Sequence, residues 1–382
     1  MSVELQRCAR CGLPSTYETL EIEDDGICNL CKASDITRAE NWEAKEKEFA
    51  ELVEQYRGRH AYDCIIPSSG GKDSVHVLYQ MVKKYKVKPL VVTFDHGFFR
   101  QGLLENNRRV LKQLGVDCHM FTPNWKLVKR IMREALIRRG DFCLHCHLGT
   151  FAYPMIVALK EQVPLIVWGE PSSQYTSYYK PGEVEEVDQV RFDKFVNMGL
   201  AAEDIGEMIR KDFDFDFRDL NCFIYPKRAD LAKLGVRSVC YGSYFPWNAE
   251  KQTAVIEREL GWKRDEVEGI PERYSYSKLE CGVQGVRDYL KELKRGYGRT
   301  TQMVATDRRY GRMTKEEGDA LIKAHEGKRP ASLDVFLEYV EMSETEFNEA
   351  VLATVVPPHV PSFNMPRGKP THDFDKLYRE PK

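Results

Sequence analysis

The chain has no apolar run approaching the length of a membrane span. Its first residues, Met1-Ser2-Val3-Glu4-Leu5-Gln6-Arg7, lack the apolar core of a secretory signal. Both absences lead to the expectation of a cytoplasmic protein with no membrane partner. Excess charge is also missing, since 57 Lys and Arg against 59 Asp and Glu give a formal net charge of −2. That balance disfavours a strongly basic nucleic-acid surface, although local patches remain open. What is left is an ordinary globular composition, 42% hydrophobic and 30% charged over 382 residues, enough for two or three domains.

Cysteine, by contrast, is plentiful. Of eleven cysteines, four form two CxxC pairs and two more form a third. In a reducing compartment that spacing points to metal and not to disulfides. Cys8-Ala9-Arg10-Cys11 and Cys28-Asn29-Leu30-Cys31 flank a short β-like stretch too poor in apolar residues to fold alone. Four thiolates around one zinc ion would supply the missing folding energy, so residues 1–36 are expected to form a zinc ribbon. An iron–sulfur cluster at the same four cysteines is the other option. The third pair lies in Asp141-Phe142-Cys143-Leu144-His145-Cys146-His147. Zinc held by Cys143, Cys146 and either His145 or His147 is one reading; a pair of buried free thiols is another. Cys64 and Cys118 fall in predicted strands and read as core residues, and Cys281 receives no role.

The stretch around which the chain is organised is Ser69-Gly70-Gly71-Lys72-Asp73-Ser74. A short apolar strand precedes it and a helix-like run, Val75 to Val82, follows. Free N–H groups and the positive dipole end at a helix start make an anion site. The glycines let backbone approach the anion, Lys72 adds charge, and the serines add donors. The spacing is not that of the eight-residue phosphate loop.

Residues 37–262 are expected to form one domain around this loop, and within it residues 61–170 alternate strand and helix. An amphipathic helix within 37–60 carries Trp42, Phe49, Leu52 and Tyr56 at helical spacing. Strands are predicted at Pro89–Asp95, Val116–Thr122 and Leu165–Trp168, with helices over Leu103–Leu114 and Trp125–Arg139. Such alternation predicts an α/β fold, a parallel sheet with helices on both faces, whose ligands bind beyond the carboxyl ends of the strands. Ser69, Asp95 and Glu170 fall at those ends. The alternative for Asp95 is a helix cap. Residues 171–220 read as a substrate-covering insertion. Residues 263–382 are expected to be mainly helical. They include a cationic run of Lys291, Lys294, Arg295, Arg299, Arg308, Arg309 and Arg312. A solvated helical face is the default reading, while the interrupting glycines and tyrosines suit the diphosphate and base of a nucleotide-sugar or, equally, an RNA backbone. Pro357 to Lys382 reads as an extended arm.

The loop resembles the PP-loop, SGGxDS, of the ATP pyrophosphatases, with an adenine-nucleotide α-hydrolase-like fold. The resemblance implies that Ser69, Gly70, Gly71, Lys72, Asp73 and Ser74 hold the phosphates of ATP, that Phe94 and Asp95 line the adenosine pocket, and that Gly169 and Glu170 face the substrate. A narrower resemblance, to the bacterial N-acetyl sugar amidotransferases of lipopolysaccharide and pseudaminic-acid biosynthesis, rests on several features together. These are the double CxxC ribbon, Ser-Gly-Gly-Lys-Asp-Ser, Trp168-Gly169-Glu170, Tyr244-Phe245-Pro246-Trp247-Asn248 and Lys294-Arg295-Gly296-Tyr297-Gly298-Arg299. Pro171-Ser172-Ser173-Gln174-Tyr175 departs from that pattern. The resemblance implies ATP with Mg²⁺, Zn²⁺ in the ribbon, and a nucleotide-sugar substrate contacted by Tyr244, Trp247, Asn248, Arg295 and Arg299. Lys72, Asp73 and Glu170 would be catalytic. No glutaminase signature is evident, so a separate glutaminase subunit is expected to supply ammonia. The third CxxC also resembles the cluster-dependent tRNA-thiolating PP-loop enzymes. Cys143 and Cys146 would then share a [4Fe-4S] cluster with Cys240, Cys222 being the rival third ligand, and the chain would thiolate tRNA.

Overall fold

The computed structural model describes residues 5–176, 179–197, 200–211 and 213–371. Its centre is a five-stranded sheet in the order β3-β2-β1-β4-β5. The strands are β1 Cys64–Pro67, β2 Pro89–Phe94, β3 Asp117–Phe121, β4 Leu165–Trp168 and β5 Arg237–Cys240. All pair in parallel. The alternation of side chains along each strand divides the core. Cys64, Ile66, Leu165 and Val167 face one apolar layer, and Ile65, Ile166 and Trp168 face the other. Helices cover both faces, as the alternating sequence requires. In chain order they begin with α1 Asn29–Arg38, α2 Trp42–Glu54, α3 Lys72–Lys83, α4 Gln101–Leu114, α5 Trp125–Arg139 and α6 Leu144–Glu161.

Helix α6 and strand β5 are among the elements that escape the sequence reading. Helix α6 is mostly buried and holds Gly149 and Pro154, so it shows neither clear amphipathic periodicity nor uninterrupted helix formers. Strand β5 is only four residues long, between a helix capped by Gly235 and a turn at Tyr241. One expectation is corrected: Cys118 is exposed and not in the core, because β3 is an edge strand. Cys64 is fully buried, as expected.

After the sheet the chain is mainly helical, with helices at Gln284–Arg295, Arg299–Arg309, Lys315–His325, Ser332–Tyr339 and Glu344–Leu352. The N-terminal cysteine unit packs on this region through Tyr297 and Ala305. The insertion after β4 is pinned by Glu185, which accepts from the amides of Ser172 (2.8 Å) and Ser173 (2.7 Å) and pairs with Arg191 (3.2 Å). Ser177 and Tyr178 of the expected covering loop lie outside the described residues, as do residues 372–382 of the expected arm. Among the described residues no single helix is long and apolar enough to cross a membrane; α5 and α6 together pass by length and composition, bent by 117°.

Candidate active site

The chain reverses strand order at β1: β2 and β3 lie to one side of it, β4 and β5 to the other. A crevice opens where such a sheet switches, at the carboxyl ends of β1 and β4. The Ser69–Ser74 loop leaves β1 there, and Gly169-Glu170 leaves β4. Gly71 is the N-cap of α3, so the loop amides and the helix dipole point into the crevice. Gly70 has φ +83°, and a Cβ there would sit 1.8 Å from Asn107 Oδ1. Only glycine fits that turn. The indole N–H of Trp262 fixes the loop from behind by donating to Gly70 O at 3.1 Å. Gly169 has no such φ constraint; it lets β4 end against the first turn of α3, its hypothetical Cβ 3.3 Å from Asp73.

Lys72 is buried and lies 2.5 Å from Asp73 Oδ2. Burial alone would pull its pKa down, but Asp73 and Glu170 more than offset that, and the ammonium is held charged. The second oxygen of Asp73, Oδ1, is buried without a hydrogen-bond partner. An orphaned carboxylate oxygen beside a phosphate-type loop fits a hard divalent cation such as Mg²⁺. Burial, reinforced by Asp73, raises the pKa of Glu170, while Lys72 and the hydroxyl of Tyr175 oppose the rise. That hydroxyl donates to Glu170 Oε1 at 2.5 Å. The backbone oxygen of Tyr175 accepts in turn from Tyr17 OH (2.9 Å), which also accepts from Gln302 (3.2 Å). A chain of contacts thus runs from Glu170 to the N-terminal cysteine unit, in which Tyr17 is buried.

Loop and carboxylates open into a cavity of about 390 Å³, within the range of ligand pockets. Phe94 lines it, its ring resting where a Gly149 Cβ would otherwise stand. Asp95 is turned to a local task, accepting from Gly97 N (2.9 Å) and Thr122 Oγ1 (3.2 Å). It caps no helix; Arg100 is the N-cap of α4. The opposite wall comes from Tyr276, Lys278, Glu280, Gln284 and Arg287, none of which the sequence singles out. Tyr276 lies under the Lys72 ammonium, 5.8 Å from the ring centre, and Glu280 Oε2 would be 3.3 Å from a Cβ on Gly71. Nothing in their spacing announces this, because the wall is assembled from a segment some two hundred residues from the loop.

Five residues expected to contact substrate do not line this cavity. Tyr244 is core, packed against Phe49. Trp247 packs on His76 and Gly242, and Asn248 caps the helix Ala249–Leu260 by accepting from Lys251 N. Arg295 donates to Thr16 O at 2.6 Å, clamping the cysteine unit. Arg299 is buried against Asp288 at 3.3 Å. Arg295 and Arg299 of the cationic run are therefore internal clamps that do not reach the cavity. Helical burial decides this, since Arg299 and Arg309 sit on a helix enclosed by its neighbours.

Cys8, Cys11, Cys28 and Cys31 are buried, and their Sγ atoms all lie within 4.8 Å of one another. Cys8–Cys31 and Cys11–Cys28 are 3.9 and 3.7 Å apart. Tetrahedral Zn–S bonds of about 2.3 Å put sulfurs about 3.8 Å apart. The donor set fits one metal ion. The third CxxC starts α6, with Cys143 as N-cap and its amide on Asp141 (2.8 Å). Both its cysteines line the cavity. Of the expected third partners, Cys222 hydrogen-bonds Asp219 O (3.6 Å) away from the cavity. Cys240 reaches the cavity from β5 but lies against Arg191 (3.9 Å). Cys281 lines the same cavity.

The family described as LPS biosynthesis protein WbpG-like, C-terminal domain, matches residues 268–360, the segment that supplies the far cavity wall. Among curated proteins, an uncharacterized protein of Methanocaldococcus jannaschii, MJ1599, is 29% identical over 37% of this chain and 50% of its own length. The glutamine-hydrolyzing GMP synthase of Pyrobaculum aerophilum is 26% identical over 42% of this chain and 30% of its own. The chain thus spans half or less of these relatives. Among solved structures, the U34-tRNA thiolase NcsA from Methanococcus maripaludis with its [4Fe-4S] cluster aligns with 85% of this chain and 88% of its own, at 13% identity and a TM-score of 0.33. A predicted subunit of tRNA methyltransferase from Methanocaldococcus jannaschii aligns at 16% identity and a TM-score of 0.24, covering 48% of this chain and 93% of its own. The loop, the fold and the matching sequences support the PP-loop superfamily.

Proposed function

We propose that the protein is an AMP-forming amidotransferase of glycan biosynthesis. It would adenylate the acetamido oxygen of a nucleotide-linked sugar and replace that oxygen with nitrogen. The observation that carries the proposal is the position of the segment matching the lipopolysaccharide-biosynthesis family. It supplies Tyr276, Lys278, Glu280, Gln284 and Arg287 to the cavity wall across from the loop. A family-specific segment facing a general nucleotide loop is where acceptor choice would be made.

In the proposed chemistry the phosphates of ATP lie on the amides at the start of α3, with Lys72 over the leaving pyrophosphate. Asp73 Oδ1 would hold Mg²⁺, which offsets phosphate charge when bound. The amide oxygen attacks the α-phosphate, pyrophosphate leaves, and the neutral amide becomes an imidate with AMP as its leaving group. Ammonia then adds to the imidate carbon and AMP departs, giving an acetamidino group. Glu170, a carboxylate with a raised pKa, suits the acceptance of the proton that nitrogen sheds. Ammonia is scarce near neutral pH, so a separate glutaminase subunit is proposed as its donor.

A second reading, thiolation of tRNA, shares the adenylation step and is favoured by the cysteines in the cavity wall. One mass-spectrometric experiment separates the two. The protein is incubated with ATP, Mg²⁺, an ammonium salt and a diacetamido nucleotide-sugar. The sugar should lose the mass difference between O and NH, with AMP as co-product. An unchanged sugar, alongside tRNA that gains sulfur for oxygen from a sulfur donor, overturns the proposal.

A further inference from the structure

Lys72, Arg191, Lys278 and Arg287 bring positive charge to the cavity wall. The first two are closely paired, Lys72 with Asp73 at 2.5 Å and Arg191 with Glu185 at 3.2 Å. The other two are not. Lys278 meets Glu280 at 3.7 Å and Arg287 meets Asp141 at 3.8 Å, both beyond hydrogen-bond reach. Arg287 Nε is buried without a hydrogen-bond partner. Leaving the donors of an enclosed guanidinium unpaired is costly, so the arrangement calls for an anion. The backbone points the same way. Ser277 and Leu279 are buried, and Lys278 between them adopts φ +56° and lines the cavity. A left-handed lysine is unfavourable and persists where its surroundings impose it, a pattern that gathers at ligand sites.

We propose that Lys278 and Arg287 form a second anion site, which holds the diphosphate of the acceptor nucleotide-sugar. This rests on the reading of the protein as a sugar amidotransferase. Lys278 is a charged neighbour of Glu170, and both cations neighbour Cys146 and His147 at the start of α6. The pair thus extends from the reacting carboxylate along the wall. Glu280 Oε2 stands beside Gly71, so negative charge separates the pair from the phosphate loop. The anion it takes is therefore not the triphosphate of ATP. A nucleotide-sugar carries its diphosphate on the anomeric carbon, a few bonds from a ring acetamido group. Anchored on the pair, it presents that group to Glu170 and the loop. Arginine suits the task because its planar fork grips two phosphate oxygens. Arg295 and Arg299 do not serve, being committed to Thr16 O and Asp288. An RNA backbone would instead call for a basic track along the surface.

The test is equilibrium binding to the whole chain with α,β-methylene-ATP and Mg²⁺ filling the loop. The probe is a uridine-diphosphate-linked diacetamido sugar, and the same sugar without its diphosphate is the control. Wild type should bind the probe well above the control with the ATP analogue in place. Lys278→Gln and Arg287→Gln should each weaken the probe about 10- to 100-fold, and leave the affinity for the ATP analogue and the melting temperature unchanged. Arg287→Lys should recover only part, since lysine lacks the fork. The Lys278 side chain is 40% exposed, so Lys278→Gln keeps the test decisive even where an Arg287 variant fails to fold. In turnover the KM for the probe should rise by the same factor while the KM for ATP stays. Unchanged probe affinity in both glutamine variants overturns the proposal, as does displacement of the ATP analogue by the probe. Variants that convert the probe with the wild-type KM overturn this site and leave the proposed function standing. Wild type that neither binds nor converts the probe, and binds tRNA instead, overturns both.

Discussion

Tyr175→Phe removes one oxygen and tests how Glu170 is tuned. The Tyr175 hydroxyl donates to Glu170 Oε1 at 2.5 Å. This bond favours the ionised carboxylate, against burial and Asp73, which favour the neutral form. A hydrogen bond to a charged group contributes about 1.5–3 kcal/mol, and one pKa unit corresponds to about 1.4 kcal/mol. Removing the donor should therefore raise the Glu170 pKa by about 1–2 units. If Glu170 accepts a proton during turnover, activity falls as pH drops through that pKa. The acid limb of kcat should then move to higher pH by the same 1–2 units, roughly, with the alkaline side unchanged. The assay is AMP release at saturating ATP and acceptor across the acid and neutral range. The direction matters, because a merely loosened loop would lower the rate at every pH without displacing the limb. An unmoved limb in Tyr175→Phe, or the wild-type limb surviving in Glu170→Gln, would refute the assignment.

Lys72→Met should lower AMP release by about 10²-fold or more while circular dichroism stays that of wild type; a wild-type rate would take the loop out of nucleotide chemistry. Gly70→Ala should weaken ATP binding and lower the melting temperature, since its Cβ meets Asn107 and its φ of +83° strains any other residue. Adding Asn107→Ala should restore part of the loss and not all of it, because only the clash is relieved. Cys8→Ser should release one metal ion per chain and also slow AMP formation, measured together, because the cysteine unit holds Tyr17 and through it Tyr175.

Much of this site is legible in the sequence because it is local. Strand, glycine turn and helix around Ser69–Ser74 are contiguous, and so is each CxxC knuckle. The sheet follows from apolar runs spaced by helices, and only its short last strand and its mostly buried helix α6 give no periodic signal. The far wall is invisible for the opposite reason. Lys278, Glu280 and Arg287 carry no motif, and only the tertiary packing of the C-terminal region brings them opposite the loop. The cationic run misleads because charge spacing does not reveal pairing. Arg299 meets Asp288 inside the helical region, and Arg312 meets Asp307 at its surface.

The cysteine unit and the C-terminal helices are not appendages to a nucleotide-binding sheet. Arg295 bonds Thr16, Tyr17 packs tilted against Tyr297 with ring centres 5.0 Å apart, and Tyr17 holds the backbone of the residue that tunes Glu170. The same C-terminal region places Tyr276 under Lys72 and Glu280 beside Gly71. Adenylation needs only the loop, its lysine and a cation, and β1 and α3 supply the first two. Apart from Phe94 of β2 and Glu170 at the end of β4, what would choose the acceptor and deliver the nucleophile comes from segments outside the sheet that close over the cavity. It follows that substitutions in the outer segments should alter acceptor use more than ATP turnover without acceptor. Substitutions in Ser69–Ser74 should remove both.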